Sequence, residues 1–312
     1  MFDHEHSNQR QHPARLSVKR LMLMFCLVLS MSFLVGCGTK TVPTEAPLQP
    51  TASITPIPVT TAPTPTPTST PIPCNPPAAT SNSIEWDYVV VGDSIVYGFL
   101  TQPPLSGYIG YLEQDLGIEV KINNWERDSW SGTGMLIALR TDVELRQAVC
   151  DAEVVIFEVP RKAFESPGQV YTAGNPGACG GTDNQDCLRK ALKMYQEHVD
   201  AIIAEIVSLR SPSDALIRTF DAHTYWPVAE TKANGTFEGM NYYWQAANDY
   251  LIQVATEYQI PVARVNEVFN GPNGDEDPFE NGYVEDDFTH PSRKGEELMA
   301  ELLRGLGYEY AP

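Results

Sequence analysis

The sequence has little positive charge and few histidines. Its 312 residues carry 21 Lys and Arg against 40 Asp and Glu, which gives a formal net charge of −19. A field of that sign repels nucleic acids and polyphosphates, so we expect no nucleic-acid partner. Three of the six histidines lie at the very start of the chain, so only His198, His223 and His290 remain for the chemistry of a site.

Cysteine is also scarce, and the six cysteines form no Cys-x-x-Cys pair. This argues against a zinc ribbon and against a thioredoxin-like redox site. Two of the six lie in the N-terminal segment described next, and the remaining four are Cys74, Cys150, Cys179 and Cys187. An even number fits two disulfides in an oxidising compartment. Three connectivities are open, but the short separation favours a Cys179–Cys187 bond, which pairs Cys74 with Cys150.

The one long hydrophobic run, at residues 21–36, follows three basic residues. This is the arrangement of an export signal, and the run is short for a bilayer span. It ends in Leu-Val-Gly-Cys at Cys37, which resembles the lipobox of bacterial lipoproteins, in which the cysteine becomes the acylated first residue. The resemblance implies a lipid on Cys37, a membrane anchor and an extracytoplasmic location. The alternatives are an ordinary cleaved signal and a single anchor helix.

Proline is concentrated in one segment, since 12 of the 25 prolines lie between residues 43 and 77, among Thr, Ala and Ser. Such a segment has few amide donors and little to bury, so it is expected to be extended and solvated. We predict a signal peptide at 1–36, a lipidated cysteine with a disordered Thr/Pro-rich stalk at 37–83, and one folded domain at 84–312. The alternative is that residues 37–83 are only a tolerated tail.

The remaining sequence alternates between short apolar segments and amphipathic ones. Strands are predicted at 86–92, 118–122, 154–159, 215–220 and 261–265. Helices are predicted at about 107–116, 135–149, 188–206, 242–258 and 292–306. This alternation predicts a five-stranded parallel sheet between two helix layers, an α/β/α fold with its site at the carboxyl ends of the strands.

Two short motifs carry reactive side chains. Gly92, Asp93 and Ser94 follow the first predicted strand, so Ser94 should open the next helix with its hydroxyl exposed. Asp287 lies three residues before His290, on a loop ahead of the last helix. At that spacing the carboxylate can orient the imidazole, and the imidazole can take the proton of Ser94.

Together these blocks resemble the SGNH (GDSL-type) hydrolases, which have Gly-Asp-Ser after the first strand and Asp-x-x-His before the last helix. The resemblance covers about residues 86–308. It implies a flavodoxin-like three-layer fold, with Ser94 as nucleophile, His290 as general base and Asp287 as the residue that orients His290. No metal or organic cofactor is required. The chain has no Gly-x-Ser-x-Gly elbow, which argues against the larger α/β-hydrolase family.

The two middle blocks of that family are altered here. The second block supplies a glycine amide to the oxyanion, and in this chain its place falls on Ser129 or Gly132, beside the amide of Ser94. The third block, Gly-x-Asn-Asp, is replaced by Glu-Val-Pro-Arg-Lys at 158–162, so the asparagine donor gives way to Pro160 or Lys162. Losing one such donor costs about 3 kcal/mol of transition-state stabilisation.

Other residues are candidates for the pocket. Asp93, Lys162, His223 and Trp226 follow predicted strands, and we predict that they contact the substrate. The segment 162–186 is too long for a simple connector and is either a pocket rim or an ordinary surface loop. The acidic loop at 275–287 suggests calcium, but its spacing differs from an EF-hand, so we expect no metal site.

The sequence therefore predicts a monomeric, membrane-anchored extracytoplasmic serine esterase. Its substrate would be a small-molecule or glycan ester, such as an acyl or acetyl ester of a lipid or of surface carbohydrate. The alternative is a catalytically impaired module of the same fold that binds surface glycan, because the Gly-x-Asn-Asp block is absent. A third hypothesis is a structural protein that only displays its acidic domain.

Overall fold

The computed structural model describes residues 84–96, 105–127 and 130–312. The predicted signal peptide, the stalk, Cys37, Cys74 and Ser129 lie outside the described residues, so the statements about them stay predictions. Within the described ranges, no helix is both long enough and apolar enough to cross a membrane.

The described residues form one five-stranded sheet in the order β2-β1-β3-β4-β5. Its strands are β1 Glu85–Gly92, β2 Glu119–Glu126, β3 Val154–Phe157, β4 Leu216–Phe220 and β5 Val262–Ala263. Every neighbouring pair is parallel, which confirms the predicted sheet. The chain runs outward from β1 to β2 and then returns to β3, so the order reverses between β1 and β3. A crevice forms at the carboxyl ends of strands beside such a reversal.

The described residues form nine α-helices in two layers. They are α1 Ser106–Leu116, α2 Gly132–Thr141, α3 Val143–Asp151, α4 Glu165–Thr172, α5 Asp186–Leu209, α6 Val228–Ala233, α7 Phe237–Glu257, α8 Val265–Asn270 and α9 Arg293–Gly305. The core of α2, α3, α5 and α7 contains Val89 and Val91 of β1, whereas the core of α1, α8 and α9 contains Tyr88 and Val90. Successive side chains of a strand point to opposite faces, so a continuous apolar run serves both layers.

Two predicted elements differ from the observed ones. The segment 135–149 forms two helices, because the Asp142 carboxylate accepts the amides of Glu144 and Leu145 and its backbone is extended. A side chain that caps a new helix in this way competes with continuation of the old one. Ser94 does not open α1: it lies in a turn directly after β1, and α1 begins only at Ser106.

The segment 162–186 is ordered into a wall beside the crevice. It contains a short 3-10 helix at Lys162–Phe164, then α4, then a loop that a disulfide between Cys179 and Cys187 closes at the start of α5. This confirms the predicted Cys179–Cys187 pair. Cys150 is buried at the end of α3, and its pairing with Cys74 stays a prediction.

Candidate active site

The turn after β1 presents Ser94 at the carboxyl edge of the sheet. Oδ1 of Asp93 accepts the amide of Ile95 at 3.0 Å, and the carbonyl oxygen of Asp93 accepts the amide of Val96 at 3.2 Å. Gly92 must be a glycine, because an added Cβ would lie 2.7 Å from Val96 Cγ2 and 3.2 Å from Glu158 Cβ. These close approaches hold the half-buried Ser94 in one place above the strand end.

The Asp287–His290 turn orients an imidazole. Oδ2 of Asp287 lies 2.6 Å from Nδ1 of His290, while Oδ1 accepts the amides of Thr289 and His290, each at 2.9 Å. A carboxylate acceptor requires Nδ1 to donate, so the neutral ring leaves Nε2 as the proton acceptor. Partial burial raises the pKa of Asp287, but the hydrogen bonds from His290 and Thr289 outweigh burial and bring that pKa below its usual range.

Phe288, at the centre of this turn, has a left-handed backbone with φ of 61°. A side chain other than glycine is strained there, and such strain persists only where the surroundings enforce it. The Phe288 ring packs against Phe279 with centroids 4.7 Å apart, and the three hydrogen bonds to Asp287 span the same turn. The orientation of His290 is therefore maintained by the fold against a local backbone preference.

His223 holds the Asp287–His290 turn, called the histidine turn below, through a hydrogen bond to its backbone. Its side chain is buried, with Nε2 2.9 Å from the carbonyl oxygen of Thr289 and its ring packed on Tyr225 and Phe269. Burial lowers the pKa of His223 to about 4, so the ring is neutral and Nε2 donates to that carbonyl. Among the described residues, His223 is not in the cavity lining and holds Thr289, so its observed contact is a positioning one, and its predicted contact with the substrate stays a prediction.

A cavity of about 320 Å³ opens beside Ser94. Of the residues predicted to contact substrate, Asp93, Lys162 and Trp226 line it, and Thr289, the residue before His290, lines it as well. The cavity thus brings together the turn after β1, the segment after β3 and the histidine turn. The remaining wall comes from α4 and α7. Of the two roles predicted for the segment 162–186, which contains α4, its place in the lining favours the pocket rim.

A buried pair of carboxyl groups lies behind the Ser94 turn. The carboxyl groups of Asp93 and of the still more deeply buried Glu158 interact directly. Burial raises the pKa of Asp93, and burial together with the neighbouring Asp93 raises the pKa of Glu158 well above its usual range. Glu158 is therefore the protonated partner, and Asp93, with one oxygen already held by Ile95, supports the turn even though it lines the cavity.

The segment after β3 places two cations at the cavity. Lys162 pairs with Glu165, Nζ to Oε2 3.1 Å, and both side chains are largely exposed. Arg161 is buried between two rings, with its guanidinium carbon 4.7 Å from the centroid of Tyr195 and 4.6 Å from that of Trp244, and it donates to Oδ1 of Asn248. Sequence reasoning missed the roles of both Arg161 and Glu158. Glu158 comes directly after β3, at the end of the apolar run of the predicted strand, and Arg161 follows three residues later.

The second block lies beside the same strand ends. The Arg127 amide donates to the carbonyl oxygen of Gly92 at 3.1 Å, which continues the β1–β2 pairing to the edge of the sheet. Gly132 begins α2, whose first-turn amides have no partner within the helix, and Ser131 caps that helix. A Cβ on Gly132 would collide with the His198 ring, so packing against α5 already requires glycine at this position.

The acidic loop at 275–287 binds the side of the chain that forms α6. Oδ2 of Asp277 accepts the amide of Val228 at 3.1 Å, and Asp275 lies 3.7 Å from Nζ of Lys232. Over the described part of the chain, no group of three or more His, Cys, Asp or Glu side chains is arranged to hold a metal ion.

Comparisons with known proteins bear on the fold. Neither a family model nor a curated protein matches the chain. Among solved structures, a lipase from a goat rumen metagenome is 22% identical and covers 72% of this chain and 98% of its own, with a TM-score of 0.58. The extracellular lipase of Streptomyces rimosus is 15% identical and covers 70% of this chain and 99% of its own, with a TM-score of 0.51. These likenesses confirm the predicted three-layer α/β fold, which the chain shares with both lipases.

Proposed function

We propose that the chain is a serine ester hydrolase of the SGNH type, with Ser94 as nucleophile, His290 as general base and Asp287 as the residue that orients His290. The observation that carries this proposal is the 2.6 Å contact between Asp287 and His290, next to a cavity that Ser94 and Thr289 both line. The fold shared with two lipases supports the same chemistry.

The reaction proceeds in two steps. Oγ of Ser94 attacks the carbonyl carbon of a carboxylic ester while Nε2 of His290 takes its proton, and the carbonyl oxygen becomes an oxyanion. The oxyanion collapses, the C–O bond breaks, and His290 returns the proton to the departing alcohol. A water molecule, deprotonated in turn by His290, cleaves the acyl-enzyme to a carboxylic acid and regenerates Ser94. Asp287 stabilises the imidazolium in both steps and is not itself protonated.

The oxyanion needs donors. The amides of Ser94 and of Ser129 or Gly132 are our candidates, and the ammonium group of Lys162 would supply a charged donor where the family has an asparagine. Lys162 lines the same cavity as Ser94, and its ion pair with Glu165 is exposed. Because exposed ion pairs are worth only about 0–1 kcal/mol, Lys162 can leave Glu165 for an oxyanion at little cost.

We further propose that the enzyme acts outside the cytoplasm as a monomer, held to the membrane by a lipid on Cys37 and a Thr/Pro-rich stalk. The Cys179–Cys187 disulfide supports an oxidising compartment, because disulfides are rare in reducing ones. Mass spectrometry of the N-terminal peptide from membranes tests this proposal. A diacylated Cys37 is expected, and an unmodified N-terminus in a soluble protein would overturn it.

Covalent labelling tests the proposed triad. A fluorophosphonate should add to Ser94 in the wild type, and the label should be lost in Ser94→Ala and reduced at least a hundredfold in rate in His290→Ala. Asp286→Asn, a charge change at the exposed neighbour of Asp287, is the matched control and should label normally. A wild-type protein with a native circular dichroism spectrum that takes no label would overturn the proposal.

A second candidate is a glycan-binding module without turnover. The observation that favours it is the Pro160–Arg161–Lys162 segment in the place of the asparagine donor. This candidate predicts no hydrolysis of p-nitrophenyl acetate above the Ser94→Ala background. Hydrolysis by the wild type that Ser94→Ala abolishes would exclude it.

A further inference from the structure

One face of α4 forms a polar wall of the cavity. Glu165, Gly168, Gln169 and Thr172 all line the cavity, and their spacing of i, i+3, i+4 and i+7 places them on a single helical face. Glu165 and Gln169 are exposed, and Thr172 is half-buried with its hydroxyl donated to the carbonyl oxygen of Gly168 at 2.8 Å. This wall therefore offers a carboxylate, an amide and a hydroxyl oxygen with acceptor capacity to whatever enters.

The facing wall is aromatic and rigid. Trp226 meets Trp244 edge-on, with centroids 4.9 Å apart and planes at 87°, and Tyr225 meets Trp244 at the same distance and 69°. Met240 extends this wall toward α4, where a Cβ on Gly168 would lie 3.2 Å from Met240 Cε. Gly168 therefore packs closely against Met240, where a larger side chain would require Met240 to shift.

The polar wall is held in place from behind. Asn234 Nδ2 donates to the carbonyl oxygen of Thr172 at 3.3 Å, Tyr171 is buried on the side of α4 that faces Gly239, and the Cys179–Cys187 bond closes the loop that follows α4. Preorganised polar groups favour a ligand because less side-chain entropy is lost when it binds. The arrangement has the features of a recognition surface for groups that form hydrogen bonds.

The contrast between the walls selects a class of ligand. An alkyl acyl chain would cover Glu165 and Gln169 without replacing their hydrogen bonds to water, at a cost of about 1–3 kcal/mol per buried unpaired group. A sugar ring has hydroxyls for the polar wall and a C–H face for the aromatic wall. The volume of about 320 Å³ is at the small end of the range for small-molecule sites, roughly 300–1,000 Å³, and suits a single ring rather than a long chain.

We propose that this cavity is a subsite for one sugar ring in the alcohol part of a carbohydrate ester, with a small acyl group at Ser94. The inference rests on the proposed esterase function and specifies its substrate class. Hydrolysis then consumes one water and the acylated sugar, and releases the free sugar hydroxyl and a carboxylic acid.

The first test keeps the acyl group constant and varies the alcohol. The value of kcat/KM is measured for 6-O-acetylglucose and for butyl acetate. The proteins compared are the wild type, Glu165→Ala, Gln169→Ala and the matched control Val170→Ala. Val170 is exposed on the same helix but is not among the described residues that line the cavity. We expect the wild type to prefer the sugar ester at least tenfold. Gln169→Ala should reduce that preference about tenfold, which corresponds to one lost hydrogen bond, mainly through KM. Val170→Ala should keep the wild-type preference.

The second test does not depend on turnover. Titration of Ser94→Ala with methyl glucoside should change the fluorescence of the cavity tryptophans Trp226 and Trp244, and Gln169→Ala in the same background should weaken that binding about tenfold. Each of three results would overturn the sugar subsite. They are a wild type that does not prefer the sugar ester, a titration without a fluorescence change, and a kcat/KM that rises steadily from p-nitrophenyl acetate to p-nitrophenyl octanoate. If fluorophosphonate still labels Ser94 in that case, the esterase proposal stands and only the substrate class fails. A protein that takes no label but binds methyl glucoside retains the subsite and loses the esterase function.

Discussion

Nε2 of His223 lies 2.9 Å from the carbonyl oxygen of Thr289, a residue 66 positions further along the chain. This hydrogen bond, in which Nε2 of His223 is the donor, connects the segment after β4 to the turn that carries His290. The same segment is fixed by Asn248, whose side chain bonds to both the amide and the carbonyl oxygen of Ala222 and accepts a hydrogen bond from the buried Arg161. The orientation of His290 thus depends on buried groups that lie outside the Asp287–His290 turn.

The first prediction concerns His223 and pH. Because its pKa is about 4 in the folded protein and about 6.5 when unfolded, the unfolded state binds the proton more readily. The stability associated with the neutral ring is therefore complete above about pH 6.5 and is lost as the pH falls to about 4, by about 3 kcal/mol in total. His223→Gln removes this titration, so only the wild type loses this stability as the pH falls. The difference in free energy of unfolding between wild type and His223→Gln should therefore decrease by about 3 kcal/mol from pH 7 to pH 4.

Urea denaturation at intervals between pH 4 and pH 7 measures this difference. Phe269→Leu is the control, because it weakens packing around His223 and leaves the imidazole in place. Its destabilisation relative to wild type should change little with pH. A destabilisation by His223→Gln that is the same at every pH would contradict the assignment of a buried neutral histidine.

The second prediction concerns Asp287. Asp287→Asn keeps an oxygen for the amides of Thr289 and His290 but removes the charge and favours the wrong histidine tautomer, so kcat for p-nitrophenyl acetate should fall about 10³–10⁴-fold with little change in stability. The neighbouring Asp286→Asn should stay within about twofold of wild type, since surface changes of this kind rarely matter. Equal effects of the two substitutions would argue against a role for Asp287 in catalysis.

The third prediction concerns Lys162. If its ammonium stabilises the oxyanion, Lys162→Met should lower kcat for p-nitrophenyl acetate about 10²–10³-fold, the usual effect of losing one such donor. Lys193→Met is the matched control, because it removes the same charge from an exposed position on α5. If Lys162→Met turned over within about threefold of wild type, the oxyanion would be held by backbone amides alone.

The fourth prediction concerns Gly132. Gly132→Ala should destabilise the protein by about 1–3 kcal/mol, because its Cβ meets the His198 ring. In a double-mutant cycle, His198→Ala should recover most of that loss. Gly110→Ala in α1, where an added Cβ meets nothing within 4 Å, is the control and should stabilise by about 0.5–1 kcal/mol. An additive cycle would mean that the requirement for glycine at 132 lies outside this packing contact.

Local sequence patterns predicted most of the fold. A strand buried on both faces must be apolar at every position, so segments such as Val89–Val91 could be recognised without knowledge of their neighbours. The stripe along α5 was equally visible, because Leu188, Tyr195 and Val199 lie one or two turns apart and all are buried. The boundary at Asp142 was missed, since an N-cap inside an otherwise helical pattern depends on a backbone conformation that the pattern does not reveal.

From the sequence alone one could predict the alternation of strands and helices, locate the two reactive motifs at opposite ends of the domain, and favour the Cys179–Cys187 bond, because each depends on residues close together in the chain. Three further contacts could not be predicted from local patterns: Glu158 lies against Asp93, His223 donates to the turn that carries His290, and α4 lines the same cavity as the aromatic side chains of Tyr225, Trp226 and Trp244. These contacts join residues far apart in the chain. They follow from the order of the strands and the packing of the two helix layers, which no local pattern encodes.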